Sequence, residues 1–130
     1  MINDIISQNK WFRINIITTG GTIEKTYDEL EGRLYNRETV IKNRINHRLR
    51  LPYTEIIIHS VMSIDSLDMT NEQREVIGEM ISSLAKEKHP IVVLHGTDTM
   101  QATAELAKKL HPQISVPVIF TGAMKPLGFE

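Results

Sequence analysis

The segment that most constrains the fold is a short β-branched run that ends abruptly in two glycines, residues 14–22 (INIITTGGT). Its apolar half has the composition of a strand that is covered on both faces of a parallel sheet. Gly20 and Gly21 permit a backbone turn that a side chain would block. Thr22 then follows a strand end, which is where ligands of open α/β sheets bind.

A second segment, residues 91–100 (IVVLHGTDTM), has the same form. Again an apolar strand runs into a glycine and a threonine, Gly96 and Thr97, and here an acid, Asp98, comes next. Two parallel strands that bring threonine hydroxyls to one edge of a sheet suggest a nucleophile and its support. The spacing from Asp98 to Gln101 also predicts that Asp98 caps the following helix.

The remaining segments alternate between strand and helix. Strands are predicted over 13–19, 54–61 and 116–121, and one further strand begins at residue 91. A long mobile loop is predicted over 24–36 and a weak helix over 38–49. One helix is predicted to follow a Thr70–Gln73 capping box, and another is predicted to carry Ala102, Leu106 and Leu110 on its buried face. The apolar face of the first of these two helices is predicted to carry Val76, Ile77, Met80, Ile81 and Leu84. Crossovers of this length give parallel strands. The expected fold is therefore a doubly wound, mainly parallel, three-layer α/β/α single domain.

Composition excludes several classes of function. The 130 residues suffice for one core, and the net charge of −1 without a basic run argues against nucleic-acid binding. There is no cysteine, and no apolar run is long enough to span a membrane. No histidine or acid spacing predicts a metal site, and no glycine motif predicts a nucleotide. A cytoplasmic protein is expected. His95 is expected to be hydrogen-bonded in the core.

Four motifs together resemble the bacterial-type L-asparaginase family, whose nucleophile is a threonine. They are residues 19–23 (TGGTI), 66–70 (SLDMT), 95–100 (HGTDTM) and 121–126 (TGAMKP). The resemblance is to short members that keep the amino-terminal domain. It implies that residues 13–130 form an asparaginase-like α/β domain after an arm over 1–12, and that the family's catalytic lysine would lie beyond residue 130.

The resemblance implies catalytic roles for four residues. Thr22 would attack the side-chain amide carbon and form an acyl-enzyme. Thr97 would supply the second catalytic hydroxyl, and Asp98 would grip the α-amino group of the substrate. Tyr35 matches the lid tyrosine by its spacing from the glycine pair, and Tyr27 is an alternative.

It also implies a substrate-binding set. Ser66 matches the serine that contacts the α-carboxylate, and Ala123 matches the alanine whose carbonyl approaches the ligand. The backbones of Gly21 and Gly96 would line the same site. Leu67 departs from the polar residue often found there in full-length members, so one substrate hydrogen bond would be missing.

The expected activity is hydrolysis of L-asparagine, or of L-glutamine or a related small amide, without a cofactor, in a homodimer or homotetramer. Two alternatives stay open. One is a catalytically impaired amino-acid-binding module of the same fold, and the other is an ammonia-supplying subunit of an amidotransferase. Ammonia release, binding without release, and release only with a partner would distinguish the three.

Overall fold

A computed structural model describes residues 12–20, 25–28, 33–36 and 53–122, and for 25–28 and 33–36 it describes the backbone. The elements in chain order are β1 (Phe12–Thr18), β2 (Lys25–Asp28), β3 (Arg33–Asn36), β4 (Thr54–Ser60), α1 (Asn71–Ala85), β5 (Ile91–Leu94), α2 (Met100–Leu110) and β6 (Val118–Thr121). A 3₁₀ helix, Ser66–Asp68, lies between β4 and α1. The helix predicted over 38–49 lies outside the described residues.

One parallel sheet organises the described part of the chain. Its strands lie in the order β4, β1, β5, β6, and each neighbouring pair is parallel. The chain passes from β1 to β4 on one side, and then crosses back over β1 to β5 and β6. Because such crossovers are right-handed, this reversal winds the chain around both faces of the sheet. The predicted doubly wound α/β fold is confirmed, and its switch point lies between β1 and β5.

Both faces of the sheet are apolar, which explains why the strands read as nearly continuous apolar runs. On the helical face, the buried core joins sheet residues to helix residues: Ile17, Ile91, Val93, Ile77, Ile81, Leu84 and Ala107. On the other face, Ile16 and Leu94 are buried with four partly buried neighbours, Ile14, Ile56, Ile58 and Val92. The two inner strands, β1 and β5, therefore each contribute to two separate apolar layers.

Strand boundaries differ from the prediction by at most two residues. β1 begins at Phe12, one residue early, and β4 ends at Ser60, one residue short. β6 begins at Val118 instead of residue 116. Pro117 lacks an N–H to donate, although its carbonyl still accepts from the N–H of Ile91 at 3.0 Å.

α1 begins as predicted. The Thr70 hydroxyl accepts from the Gln73 N–H at 3.2 Å, and the Gln73 side-chain oxygen accepts from the Thr70 N–H at 2.8 Å. This confirms the capping box. Of the apolar face predicted for α1, Val76 is instead 48% exposed, because the buried stripe runs through Ile77, Ile81 and Leu84.

The buried face predicted for α2 is wrong. Ala102 and Leu110 are exposed and Leu106 is half-buried, whereas Thr103 and Ala107 are buried. Gly78 of α1 faces Ala107 of α2, and a Cβ added at Gly78 would lie 3.5 Å from the Cα of Ala107, which is an ordinary contact. Thr103, whose hydroxyl bonds to the ring of His95, and Ala107 therefore form the buried face of α2 in place of the predicted residues.

The loop predicted over 24–36 contains a β-ribbon. β2 and β3 pair in antiparallel register, with Thr26 opposite Tyr35 and Tyr27 opposite Leu34. The sequence did not predict this ribbon, because a two-stranded ribbon is held by backbone hydrogen bonds and needs no regular spacing of apolar residues.

Over the residues that the structure describes, no helix is long and apolar enough to cross a membrane.

Candidate active site

Thr19, which follows β1, is hydrogen-bonded to the last residue of β5. It is fully buried, and its N–H and its hydroxyl both donate to the Leu94 carbonyl, at 3.2 Å and 2.8 Å. Gly20 follows with φ of 105°, a conformation that side chains rarely adopt. Gly20 thus adopts the kind of backbone conformation for which the glycine pair was singled out. The next residues, Gly21 and Thr22, lie outside the described part of the chain.

His95, at the carboxyl end of β5, is fully buried, and its backbone N–H and both ring nitrogens make hydrogen bonds. Its N–H donates to the Thr121 carbonyl at 2.9 Å, its Nδ1–H donates to the Gly96 carbonyl at 2.8 Å, and its Nε2 accepts from the Thr103 hydroxyl at 2.8 Å. Burial lowers the pKa of His95, the Gly96 carbonyl opposes this, and the charge of Arg74 adds to the lowering. The core role predicted for His95 is confirmed, and this neutral ring fixes the backbone that leads into Gly96.

Ser66 and Gly96 meet at the same edge of the sheet. A Cβ added at Gly96 would lie 2.5 Å from the Oγ of Ser66 and 2.7 Å from its Cβ, so the two segments are in direct contact. Ser66 is 1% exposed, and its hydroxyl has no hydrogen-bond partner among the described residues. A buried, unpaired hydroxyl costs free energy unless something pairs with it. The loops after β4 and β5 thus meet at the Ser66 hydroxyl, which is buried and has no hydrogen-bond partner among the described residues.

The end of β6 closes against the same region. A Cβ added at Gly122 would collide with the His95 carbonyl and would lie 3.3 Å from the Cγ2 of Thr97 and 3.2 Å from the Cε of Met100. Only glycine fits there without displacing backbone. Ser66, Gly96 and Thr97 therefore lie together, and the chain continues from Gly122 into Ala123, which lies outside the described residues.

The predicted cap at Asp98 is wrong. α2 begins at Met100, and its N-cap residue is Thr99, whose side chain makes no capping hydrogen bond within the described ranges. The Thr99 hydroxyl instead donates to the Ser66 carbonyl at 2.9 Å. Asp98 lies in the turn before the helix, where its side chain, like that of Thr97, is exposed at the strand edge.

The predicted site residues fall into two groups. Ser66, Gly96, Thr97 and Asp98 are described and gather at the carboxyl ends of β4 and β5. Gly21, Thr22, Ala123 and the side chains of Tyr35 and Tyr27 are not described. In the ribbon, Tyr35 and Tyr27 occupy adjacent cross-strand pairs, positions that alternate between the two faces. Sequence reasoning missed Thr19 and Thr99, although each stands beside a glycine or acid of a motif.

An apolar groove lies apart from these residues. A groove of about 360 Å³ between α2 and β6 is lined mainly by apolar side chains, including Ala107, Val118 and Phe120, and by none of the predicted site residues. Over the parts of the chain that the structure describes, no group of three or more His, Asp or Glu side chains is placed to hold a metal ion.

The described chain is a doubly wound α/β sheet that carries a threonine, a buried serine and an acid at the edge where ligands of such sheets ordinarily bind. The family model described as the amino-terminal part of asparaginase matches residues 13–130. The chain belongs to the asparaginase family.

Three known proteins show how far the similarity extends. L-asparaginase 1 of Escherichia coli K12 is 34% identical over 121 residues, which cover 88% of this chain and 35% of that protein. A glutamyl-tRNA(Gln) amidotransferase subunit of Haloquadratum walsbyi is 29% identical, over 86% of this chain and 25% of that protein. The structure of the thermostable L-asparaginase from Thermococcus kodakarensis matches with a TM-score of 0.77 and 25% identity, over 89% of this chain and 35% of that one. The chain thus spans about a third of the asparaginases it matches.

Proposed function

We propose that this chain forms the amide-hydrolysing centre of an enzyme that converts L-asparagine, or L-glutamine or a related small amide, to the acid and ammonia. Membership of the asparaginase family supports a hydrolase of this kind. The observation that carries the proposal is the Ser66 hydroxyl, which is buried and unpaired within the described ranges and lies against Gly96, the residue that precedes Thr97 and Asp98. Such a group suits a ligand that brings its own acceptor.

The proposed reaction runs through a threonine ester. The Thr22 oxygen attacks the amide carbon while its proton passes to Tyr35, since a threonine hydroxyl is a weak nucleophile until a neighbour takes that proton. Backbone N–H groups near Thr97 stabilise the oxyanion. The C–N bond breaks, ammonia leaves with the proton, and water then hydrolyses the ester. The Thr97 hydroxyl assists the proton transfers, and no cofactor takes part.

Substrate orientation is proposed to depend on groups at both ends of the amino acid. The Ser66 hydroxyl donates to the α-carboxylate, and Asp98 accepts from the α-amino group. Gly21, Gly96 and the carbonyl of Ala123 bring backbone close to the ligand. A serine and an acid placed in this way distinguish an α-amino acid from a simple amide.

The decisive experiment follows ammonia release from L-asparagine by the full-length protein. The Thr22→Ala variant is expected to lose about a thousandfold or more of the turnover, because it lacks the attacking oxygen. Thr54→Ala is a matched control, since Thr54 lies at the amino end of β4, at the opposite edge of the sheet. Equal turnover by wild type and Thr22→Ala would rule out the threonine ester.

The second candidate is an ammonia-supplying subunit of an amidotransferase. The similarity to the Haloquadratum walsbyi amidotransferase subunit over 86% of this chain supports it, although the identity of 29% is below the 34% to L-asparaginase 1. Ammonia release that begins only after a partner protein is added would support this candidate over a free-standing hydrolase.

The third candidate is an amino-acid-binding module without turnover. Leu67, adjacent to Ser66, is 72% exposed and offers no polar atom on its side chain, which weakens the grip on a free amino acid. Calorimetric binding of L-asparagine with no ammonia release would support the module.

The assembly, compartment and domain limits are parts of the same proposal. We propose a homodimer or homotetramer in the cytoplasm, with an arm over 1–12 and the α/β domain over 13–130. The absence of cysteine suits a reducing compartment. Light scattering of the full-length protein at several concentrations measures the assembly directly.

A further inference from the structure

We propose that Thr99 is a positioning residue that holds the Ser66 segment against the Gly96–Asp98 turn, and so sets the spacing between the two groups that grip the substrate. This inference rests on the proposed function of the same site. It concerns a side chain that has no assigned role in that reaction.

The first argument is that the Thr99 hydroxyl does not serve its own helix. A threonine at an N-cap ordinarily accepts a hydrogen bond from a backbone N–H one turn into the helix. Thr99 occupies the N-cap of α2, with φ −128° and ψ 21°, and makes no such bond to the described helix. Thr70, the cap of α1, makes the ordinary bond. A departure from a local rule is expected where function requires it.

The second argument is where the hydroxyl goes. It donates to the carbonyl of Ser66, 33 residues away in sequence, at 2.9 Å. The same carbonyl also accepts from the Met69 N–H at the longer distance of 3.4 Å. Of these two hydrogen bonds, the one from Thr99 is therefore the shorter, and it is the one that comes from the loop after β5.

The third argument is steric. The contact between Ser66 and Gly96 is so close that a methyl group at Gly96 would overlap the Ser66 side chain. This contact prevents the two segments from moving closer, while the Thr99 hydrogen bond resists their moving apart. The Ser66 hydroxyl is consequently held at a defined distance from the turn that carries Thr97 and Asp98.

The test compares Thr99→Val, which keeps the shape and removes the donor, with Thr99→Ser, which keeps the donor. In the full-length protein, Thr99→Val is expected to raise KM for L-asparagine about tenfold with kcat within twofold, because ground-state and transition-state binding weaken together. Thr99→Ser is expected to stay within about twofold of wild type. Ile77→Val, a buried core change in α1, is the control for lost stability.

A double-mutant cycle separates positioning from general damage. In a Ser66→Ala background, whose backbone carbonyl remains, Thr99→Val should no longer raise KM, because the group that it positions is gone. A KM for Thr99→Val no higher than that for Ile77→Val overturns the proposal. So does a KM increase of equal size in both backgrounds.

A readout without substrate keeps the inference separate from the proposed function. Amide hydrogen exchange of residues 66–69 should be at least several-fold faster in Thr99→Val than in Ile77→Val. If no small amide is hydrolysed but this exchange increases, the hydrolase proposal fails and the positioning contact stands. Equal exchange in the two variants overturns the positioning role whatever the activity.

Discussion

At the scale of single residues, the close contact between Gly96 and Ser66 requires a residue without a side chain at position 96. Gly96→Ala would place a Cβ 2.7 Å from the Cβ of Ser66 and 3.3 Å from its backbone nitrogen, so backbone has to move. We expect a loss of about 1–3 kcal/mol in the free energy of unfolding, as for other overpacked positions. Urea denaturation measures it, and a loss of amino-acid binding should accompany it.

Gly78→Ala is the matched control for this substitution. Its Cβ would meet the side chain of His111 at 3.4 Å and Ala107 at 3.5 Å, distances close to ordinary contact. Because Gly78 lies inside α1, alanine there should leave stability unchanged or raise it by up to about 1 kcal/mol. Comparable losses from the two variants would show that Gly96 is not a special close approach.

At the scale of elements, the start of α1 is set by Thr70 and Gln73. Thr70→Ala removes the side-chain oxygen that accepts from the Gln73 N–H, and we expect it to lower the free energy of unfolding by about 1 kcal/mol. Thr70→Ser keeps that oxygen and should differ from wild type by a few tenths of a kcal/mol. Urea midpoints at constant m-value measure both, and equal midpoints for Ala and Ser would contradict the cap.

The two helix starts also show what a sequence can and cannot predict. The α1 cap was predictable, because both partners of the capping box lie within four consecutive residues. The α2 cap was not, because the hydroxyl of Thr99 bonds to a carbonyl 33 residues away. The buried face of α2 was missed for a related reason, since the partners of its buried residues lie elsewhere in the chain: His95 for Thr103 and Gly78 for Ala107.

At the scale of the whole molecule, strand order decides which predicted residues can meet. The motifs after β4 and β5 lie far apart in sequence, yet β1 separates their strands by a single position in the sheet. The alternation of strands and helices was enough to predict the parallel sheet, and the motifs after β4 and β5 lie at its carboxyl edge as the strand–glycine–threonine patterns predicted. The contact between Ser66 and Gly96 was not predictable, because it depends on how two loops pack around Thr19 and Thr99.

The stability of the whole molecule should also depend on pH through His95, where β5, β6 and α2 meet. The imidazole is fully buried beside the ring of Phe120, and burial holds its pKa below the ordinary value of 6.5. Well above pH 6.5 the ring is neutral in the folded and the unfolded chain, so it contributes no pH dependence. As the pH falls through 6.5, the unfolded chain takes up a proton first, and the free energy of unfolding therefore decreases.

This decrease should stop once the pH is below the folded-state pKa, and each unit between the two pKa values removes about 1.4 kcal/mol. Urea denaturation between about pH 5 and pH 8 measures it. His95→Asn should show a smaller decrease, because it lacks the titrating ring, whereas Ile77→Val, a core change away from the ring, should keep the wild-type slope. A wild-type slope in His95→Asn, or an imidazole that titrates by NMR at or above pH 6.5, would show that burial does not disfavour the charged ring.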